Sequence, residues 1–193
     1  MENIIAHKEQ RDYFETVQKR FPETFVNKKV LDIGSYDLNG TNSYLFENST
    51  VLGLDIEEGP GVDIVCEAQK YDAPDESFDV IVSSECWEHN PYYKESLQNA
   101  VRMLKSGGFM LFACATTGRP VHGLSSQQEE MLEKDPTWTV MPSAKQEGWQ
   151  TEYYKNVTEK DVRDAIDIDE IFSSYEFVVE ENHCDLYFWG FKK

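Results

Sequence analysis

Val30-Leu-Asp-Ile-Gly-Ser-Tyr-Asp-Leu-Asn-Gly40 is an apolar run that breaks on a glycine and continues as a polar loop to a second glycine. A buried strand reads this way when it feeds a tight turn. The glycine lets backbone approach a ligand closely, at the carboxyl end of an α/β sheet. Asp55 closes the next apolar run, Val51 to Asp55, roughly 20 residues on. An acidic side chain at that point can accept both hydroxyls of a ribose. Taken alone, the glycine turn reads equally well as a strand-to-helix connection capped by Asp32 and Asp37. Asp55 shifts the balance toward a nucleoside cofactor.

Charge discriminates among such cofactors. A dinucleotide would lay a pyrophosphate on the turn, yet Asp32 and Asp37 flank it and no Lys or Arg lies between Val30 and Asp55. Carboxylates oppose a pyrophosphate and suit the ammonium and sulfonium of S-adenosylmethionine.

Working outward, His7 to Arg20 carries Tyr13, Phe14, Val17 and Phe21 at helical spacing, and Pro22 ends the pattern. Thr41 to Glu47 is a weaker helical segment. Val62 to Cys66 and Phe78 to Ser84 read as the third and fourth strands, the latter apolar enough to be covered on both faces. Pro91 to Leu104 is a helix with Leu97, Ala100, Val101 and Leu104 as its buried stripe, stopped by Lys105-Ser-Gly-Gly108. Phe109 to Ala115 is the fifth strand. Thr158 to Phe172 reads as a helix, with Thr158 as N-cap and Asp161 three residues on. Tyr175 to Glu180 and Leu186 to Phe191 form a closing strand pair. Alternation of this kind implies a parallel sheet wrapped by helices. Between Thr116 and Lys155 the chain is long, polar and aromatic without a period, as lids and binding elements are. The expected organisation is one domain: a helical extension over 1–28, a cofactor-binding core over 29–115, a lid or substrate-side insertion over 116–155, and a last helix with a strand pair over 156–193.

The totals exclude several classes. No stretch approaches the ~20 apolar residues of a membrane span, and the first nine residues lack the apolar segment of a signal peptide. A soluble, cytoplasmic protein is expected. Net charge is −18, from 36 acidic and 18 basic residues, which makes nucleic acid and anionic membranes poor partners. Cys66, Cys86, Cys114 and Cys184 include no C-x-x-C pair, so inert reduced thiols are expected and no metal.

Val-Leu-Asp-Ile-Gly34 resembles motif I of class I S-adenosylmethionine-dependent methyltransferases, and Leu-Gly-Leu-Asp55-Ile56 the ribose-binding motif that follows. Cys66-Glu67-Ala68 matches the position where that family sets an acidic residue against the adenine amino group. Ser77-Phe-Asp-Val-Ile-Val-Ser-Ser-Glu85 resembles its fourth strand, with Glu88-His89 in the place of a frequent Glu-His pair. Leu104-Lys-Ser-Gly-Gly-Phe-Met-Leu111 resembles its turn into strand five. Each motif is loose; five in order from Val30 to Ala115 are specific. The chain departs from the family where Tyr36 replaces the middle glycine of Gly-x-Gly-x-Gly. There it resembles a subgroup of mostly unassigned substrate with Gly-Ser-x-Asp-x-Asn-Gly, to which Gly59-Pro-Gly-Val-Asp63 and Gly118-Arg-Pro-Val-His-Gly123 also fit.

The resemblance implies a Rossmann-like, doubly wound, seven-stranded sheet with the last strand antiparallel and helices on both faces. It implies that Asp32, Ile33, Gly34, Ser35, Tyr36, Asn39 and Gly40 hold the methionine end of S-adenosylmethionine. Asp55 and Ile56 would take the ribose, Glu67, Ala68 and Gln69 the adenine, and Ser84, Glu85 and Cys86 would border the site from the fourth strand. His89 and His122 are the candidate bases for a methyl acceptor entering from the Thr116 to Lys155 side; Tyr153, Tyr154, Trp138 and Trp149 could line that side or simply pack there. A small-molecule acceptor is expected, with S-adenosylhomocysteine as the second product. Two alternatives remain at this point: a methyltransferase-like domain that binds the cofactor without turnover, and an NAD-dependent oxidoreductase using the same turn and Asp55.

Overall fold

In a computed structural model the chain is described over residues 8–37, 40–122 and 153–193. The central apolar runs become β1 (Lys29–Ile33), β2 (Thr50–Asp55), β3 (Ile64–Val65), β4 (Phe78–Ser84) and β5 (Leu104–Ala115). β6 (Phe172–Glu180) and β7 (Asp185–Lys192) complete a seven-stranded sheet in the order β3-β2-β1-β4-β5-β7-β6. β1 to β5 pair in parallel, and β7 runs antiparallel to both β5 and β6. This is the doubly wound sheet with its last strand reversed that the sequence implied. Chain order reverses direction between β1 and β4, and in such sheets the crevice at the strands' carboxyl ends binds ligands.

The period-two alternation of side chains splits the core between two faces. α1 (Lys8–Arg20) buries Phe14 and Val17 on one face, in a cluster with Val30, Val80, Phe109, Leu111 and Trp189. Phe21 inserts there, its ring 4.8 Å from Trp189 and 5.2 Å from Phe191. α2 (Tyr93–Met103), α3 (Glu159–Ala165) and α4 (Ile168–Ile171) cover the other face, with Leu97, Met103, Val162 and Ile168 over Leu31, Ile81, Met110 and Phe112.

Several elements differ from the sequence reading. Thr41 to Glu47 contains only a 3-10 turn, Asn42–Leu45, because Asn42 turns inward to hydrogen-bond buried groups rather than continue a helix. The third strand shrinks to Ile64–Val65, since Val62 and Asp63 are held in a turn against Gly59 and Gly53. Lys105 to Gly108 does not end a helix at Leu104: β5 already begins there, and the segment bulges between the pairs Phe78↔Leu104 and Val80↔Phe109. On α2, Val101 is only half-buried, and Tyr93 and Met103 join the buried stripe. The helix read over Thr158 to Phe172 splits, because Ile166 is extended and Asp167 caps a separate turn by accepting from the Glu170 amide at 3.0 Å. Thr158 and Asp161 do form the reciprocal capping pair. All four cysteines are free thiols, and Cys114 is buried. Among the described residues no helix is long and apolar enough to cross a membrane.

Phe112 tests the packing. Its ring lies 5.0 Å from Phe188, stacked, and 6.3 Å from Trp87, edge on. Phe112→Ala is expected to cost about 3–5 kcal/mol in urea unfolding. Val65→Ala, at a site 55% exposed on the edge strand, should cost under about 0.5 kcal/mol. Equal costs would contradict the layering.

Candidate active site

The carboxyl end of β1 buries a charge. Asp32 is 2% exposed and accepts from the Asn42 amide at 2.9 Å, while the same amide reaches the Ser84 hydroxyl at 3.1 Å. The ends of β1 and β4 are thereby tied through one side chain. Burial raises the Asp32 carboxyl from its ordinary 3.8 to about 7; Asn42 opposes the shift and the charge of Asp55 adds to it. Ile33 places its side chain in the core and its carbonyl under the Ser83 hydroxyl at 2.8 Å, so it frames the loop from beneath.

Gly34 then takes φ +79, and an added Cβ would stand 2.6 Å from Cys86 Cβ. Beyond it the Gly59 to Asp63 segment folds onto the loop. The Asp37 amide donates to the Pro60 carbonyl at 2.8 Å, and the Tyr36 ring lies against Gly59, where a Cβ would come within 2.3 Å of it. Gly53 has no room for a side chain either: its Cβ would be 1.9 Å from the Gly61 carbonyl. The tyrosine that stands where the family has glycine thus packs on the Gly-Pro-Gly segment. Asp55, at the end of β2, accepts from the Tyr36 amide at 3.2 Å and the Glu57 amide at 3.1 Å. Ile56 beside it is 37% exposed. Gly40 takes φ +117 with open space where a side chain would be.

At the exit of β3, Glu67 is engaged by Lys70 at 2.6 Å and by Gln69 at 2.7 Å, beside the buried Ala68. The exit of β4 is more charged. Glu85 adopts φ +48, a left-handed conformation that costs a non-glycine residue on the order of 1 kcal/mol. Its carboxylate sits 3.7 Å from Arg119, which also reaches Asp185 at 3.1 Å. Glu88 is fully buried and accepts from the Ala115 amide at 3.2 Å. Burial and the neighbouring acidic charges hold the Glu85 carboxyl well above its ordinary value, and burial holds Glu88 at about 7.

His89 and His122 meet, their rings 5.0 Å apart and each edge on to Tyr154, at 5.5 and 4.9 Å. Burial, then the neighbouring His122, push His89 down to about 3. It is neutral near pH 7 and a weak base for that reason. The segments around these rings are anchored: Lys155 donates to the Glu88 carbonyl at 2.9 Å, and Asn156 to that of Arg119 at 3.1 Å. Asn39, Trp138 and Trp149, with the rest of 123–152, lie outside the described residues.

The structure therefore brings Asp32, Gly34, Ser35, Tyr36, Asp55, Ser84 and Cys86 together, joins His89 to His122, and ties the segment leading to Glu67 onto Asp55, whose carbonyl accepts from the Cys66 amide at 2.8 Å. Sequence reasoning missed Asn42, Arg119 and Asp185. Asp185 carried a signal, an acid opening the apolar run Leu186 to Trp189. Asn42 carried none.

The comparisons with known proteins agree with this architecture. Residues 5–163 match the family model described as a methyltransferase domain. The chain belongs to that family, whose cofactor is S-adenosylmethionine. No curated protein matches the sequence. The fold is similar to that of 1,6-didemethyltoxoflavin-N1-methyltransferase from Burkholderia thailandensis, solved with 1,6-didemethyltoxoflavin and S-adenosylhomocysteine: TM-score 0.62, 15% identity, covering 97% of this chain and 80% of that one. It is similar to phosphoethanolamine N-methyltransferase 2 from Haemonchus contortus, with TM-score 0.60 and 15% identity, covering 94% of this chain and 52% of that one. A third is the PH0226 protein of Pyrococcus horikoshii, with TM-score 0.56 and 17% identity, covering 98% and 93%. At such identities the likeness is one of fold.

The residues present fit the family's cofactor. Ser35 Oγ is buried without a hydrogen-bond partner among the described residues, Gly40 leaves backbone open, and Asp32 and Asp55 offer carboxylates at the strand ends.

The raised Asp32 carboxyl has a consequence for stability. Between its unfolded and folded values the native chain holds a proton that the unfolded chain releases. The contribution is full below pH 3.8 and lost as the pH rises through about 7. Glu85 and Glu88 act in the same sense. Stability should fall between about pH 5 and about pH 8, and less steeply in Asp32→Asn, which is expected to be the more stable chain at the upper end. Thermal unfolding at both values checks this; identical slopes would contradict it.

Proposed function

We propose that the chain transfers a methyl group from S-adenosylmethionine to a small-molecule acceptor. One observation carries the reading: Asp32 and Asp55 end adjoining central strands, with neutral donors around them and no cation between Val30 and Asp55. A ligand with an ammonium, a sulfonium and a ribose diol satisfies both carboxylates. Asp32, Gly34, Ser35 and the backbone from Tyr36 to Gly40 would hold the methionine end. Asp55 and Ile56 would take the ribose, and Glu67 and Ala68 the adenine, Glu67 exchanging Lys70 for the amino group. Bound there, the cofactor supplies an electrophilic methyl group.

The chain's own part is then alignment. Ser84, Glu85 and Cys86 border the site at the end of β4, and the acceptor enters between Glu85 to His89 and the Thr116 to Lys155 segment. For an acceptor that is already nucleophilic, holding it in line is sufficient, so the weak basicity of His89 is no obstacle. The net charge of −18 favours a small molecule over nucleic acid or an anionic membrane. The Burkholderia and Haemonchus enzymes were both crystallised with small molecules, 1,6-didemethyltoxoflavin and phosphomonomethylethanolamine. Tyr36 on Gly59, and Asp37 on Pro60, support placing the chain in the subgroup that pairs Gly-Ser-x-Asp with Gly-Pro-Gly-Val-Asp. They give the two motifs a physical reason to occur together. The layout is read as one domain with the boundaries inferred from sequence.

A second reading has one observation in its favour. The [4+2]-cyclase SpnF shares the fold, with TM-score 0.54, so a methyltransferase-like frame also serves other chemistry. On that reading the chain binds the cofactor without transferring its methyl group.

Calorimetric titration with S-adenosylhomocysteine tests the site. The native chain should bind, and Asp55→Ala should weaken binding about 100-fold or more, since hydrogen bonds to a charged group contribute about 1.5–3 kcal/mol each. No binding by the native chain would overturn the proposal. Transfer of labelled methyl from S-adenosylmethionine into a metabolite pool separates the transferase from the binder.

A further inference from the structure

We propose that Glu88, His89 and His122 form a binding site for one divalent transition-metal ion on the acceptor side of the sheet. One ligand atom from each lies within 4.8 Å of those of the other two. Glu88 and His89 are consecutive on the 3-10 turn Trp87–His89 after β4, and His122 comes from the loop after β5. The turn is fixed by two backbone amides: Lys155 donates to the Glu88 carbonyl and Ala115 to its side-chain Oε1.

Glu88 brings a buried carboxyl to this group. Its side chain is fully buried, and Oε2 has no hydrogen-bond partner among the described residues. An unsatisfied buried carboxylate oxygen is costly, and such charges are usually paired or bound to metal. Glu85 Oε1 is in the same condition. A proton shared between Glu85 and Glu88 satisfies the same oxygen, so ion and proton compete for it. Arg119 does not supply the missing charge: it is engaged by Asp185 and Glu85, and three acids face one guanidinium.

The His122 imidazole is held by the backbone. His122 Nδ1 lies 3.0 Å from the Pro120 carbonyl, which can only accept, so this nitrogen carries the proton. Backbone carbonyls hold metal-bound imidazoles in this manner. Bonds of about 2.1 Å set tetrahedral ligand atoms about 3.4 Å apart, so binding draws the side chains inward. Two imidazoles and a carboxylate select zinc, iron, cobalt or nickel over magnesium or calcium. Three protein ligands leave a coordination position open. Facing the acceptor side, that position suits an acceptor with an oxygen donor.

The acceptor side is taken from the proposed function, whereas the test of the site uses the metal alone. The full-length chain, stripped with chelator, is titrated with Co2+ and followed by visible d–d absorption, with Zn2+ as competitor. One ion per chain is expected, weakened at least about tenfold by His122→Ala and by Glu88→Gln, with circular dichroism reporting the fold. His122 is half-buried; should its variant fail to fold, Glu88→Gln, which keeps the shape of the side chain, carries the comparison. Absence of saturable absorption, or equal affinity in a folded variant, would overturn the site. Intense thiolate-to-cobalt absorption would also overturn it, by assigning the ion to a cysteine.

Discussion

Asp32 is a carboxylate set inside the sheet, at the end of its central strand, where water cannot solvate it. The Asn42 amide, shared with Ser84, makes that burial tolerable and joins β1 to β4 at the point where chain order reverses. Moving Asn42 would leave the acid without its side-chain donor and uncouple the two strand ends. The cost is visible in the raised carboxyl. Such a group is retained against stability where a site needs a charge.

The loops around that link are fitted to one another. Tyr36 can occupy a position the family gives to glycine because Gly59 makes room for its ring, and Gly53 makes room for the Gly61 carbonyl. The Gly59 to Asp63 segment is secured in return by Asp63, which accepts from the Gly53 amide at 2.8 Å. Asp55 is then held by two backbone amides at the rim, its position fixed by the loop it adjoins. Across β4 the surroundings change from neutral donors to a knot of Glu85, Glu88, Asp185 and Arg119, overlaid by His89, His122 and Tyr154. One half of the crevice suits a cationic cofactor, and the other concentrates acidic and imidazole side chains.

Much of this was legible in the sequence, for identifiable reasons. Phe78 to Ser84 is buried on both faces, so its composition alone marked it as a strand. Thr158 and Asp161 carried a local capping pattern that formed as read. The place of Asp55 was legible, because an acid closing an apolar run marks the end of a strand. What failed depended on distant partners. Asn42 left the helical pattern to serve Asp32. Lys105-Ser-Gly-Gly108 looks like a helix stop because its glycines are local, but its bulge is set by pairing with β4. His89 and His122 were both singled out, yet that they meet over a buried Glu88 is a property of the β4 and β5 loops, not of either sequence neighbourhood.

A crystal structure of the chain with S-adenosylhomocysteine tests the central claim most directly. The account predicts the ribose hydroxyls on the Asp55 carboxylate and the amino-acid end against the loop from Asp32 to Gly40. A nucleoside bound away from the carboxyl ends of β1 and β2, or oriented with its adenine on Asp32, would contradict it.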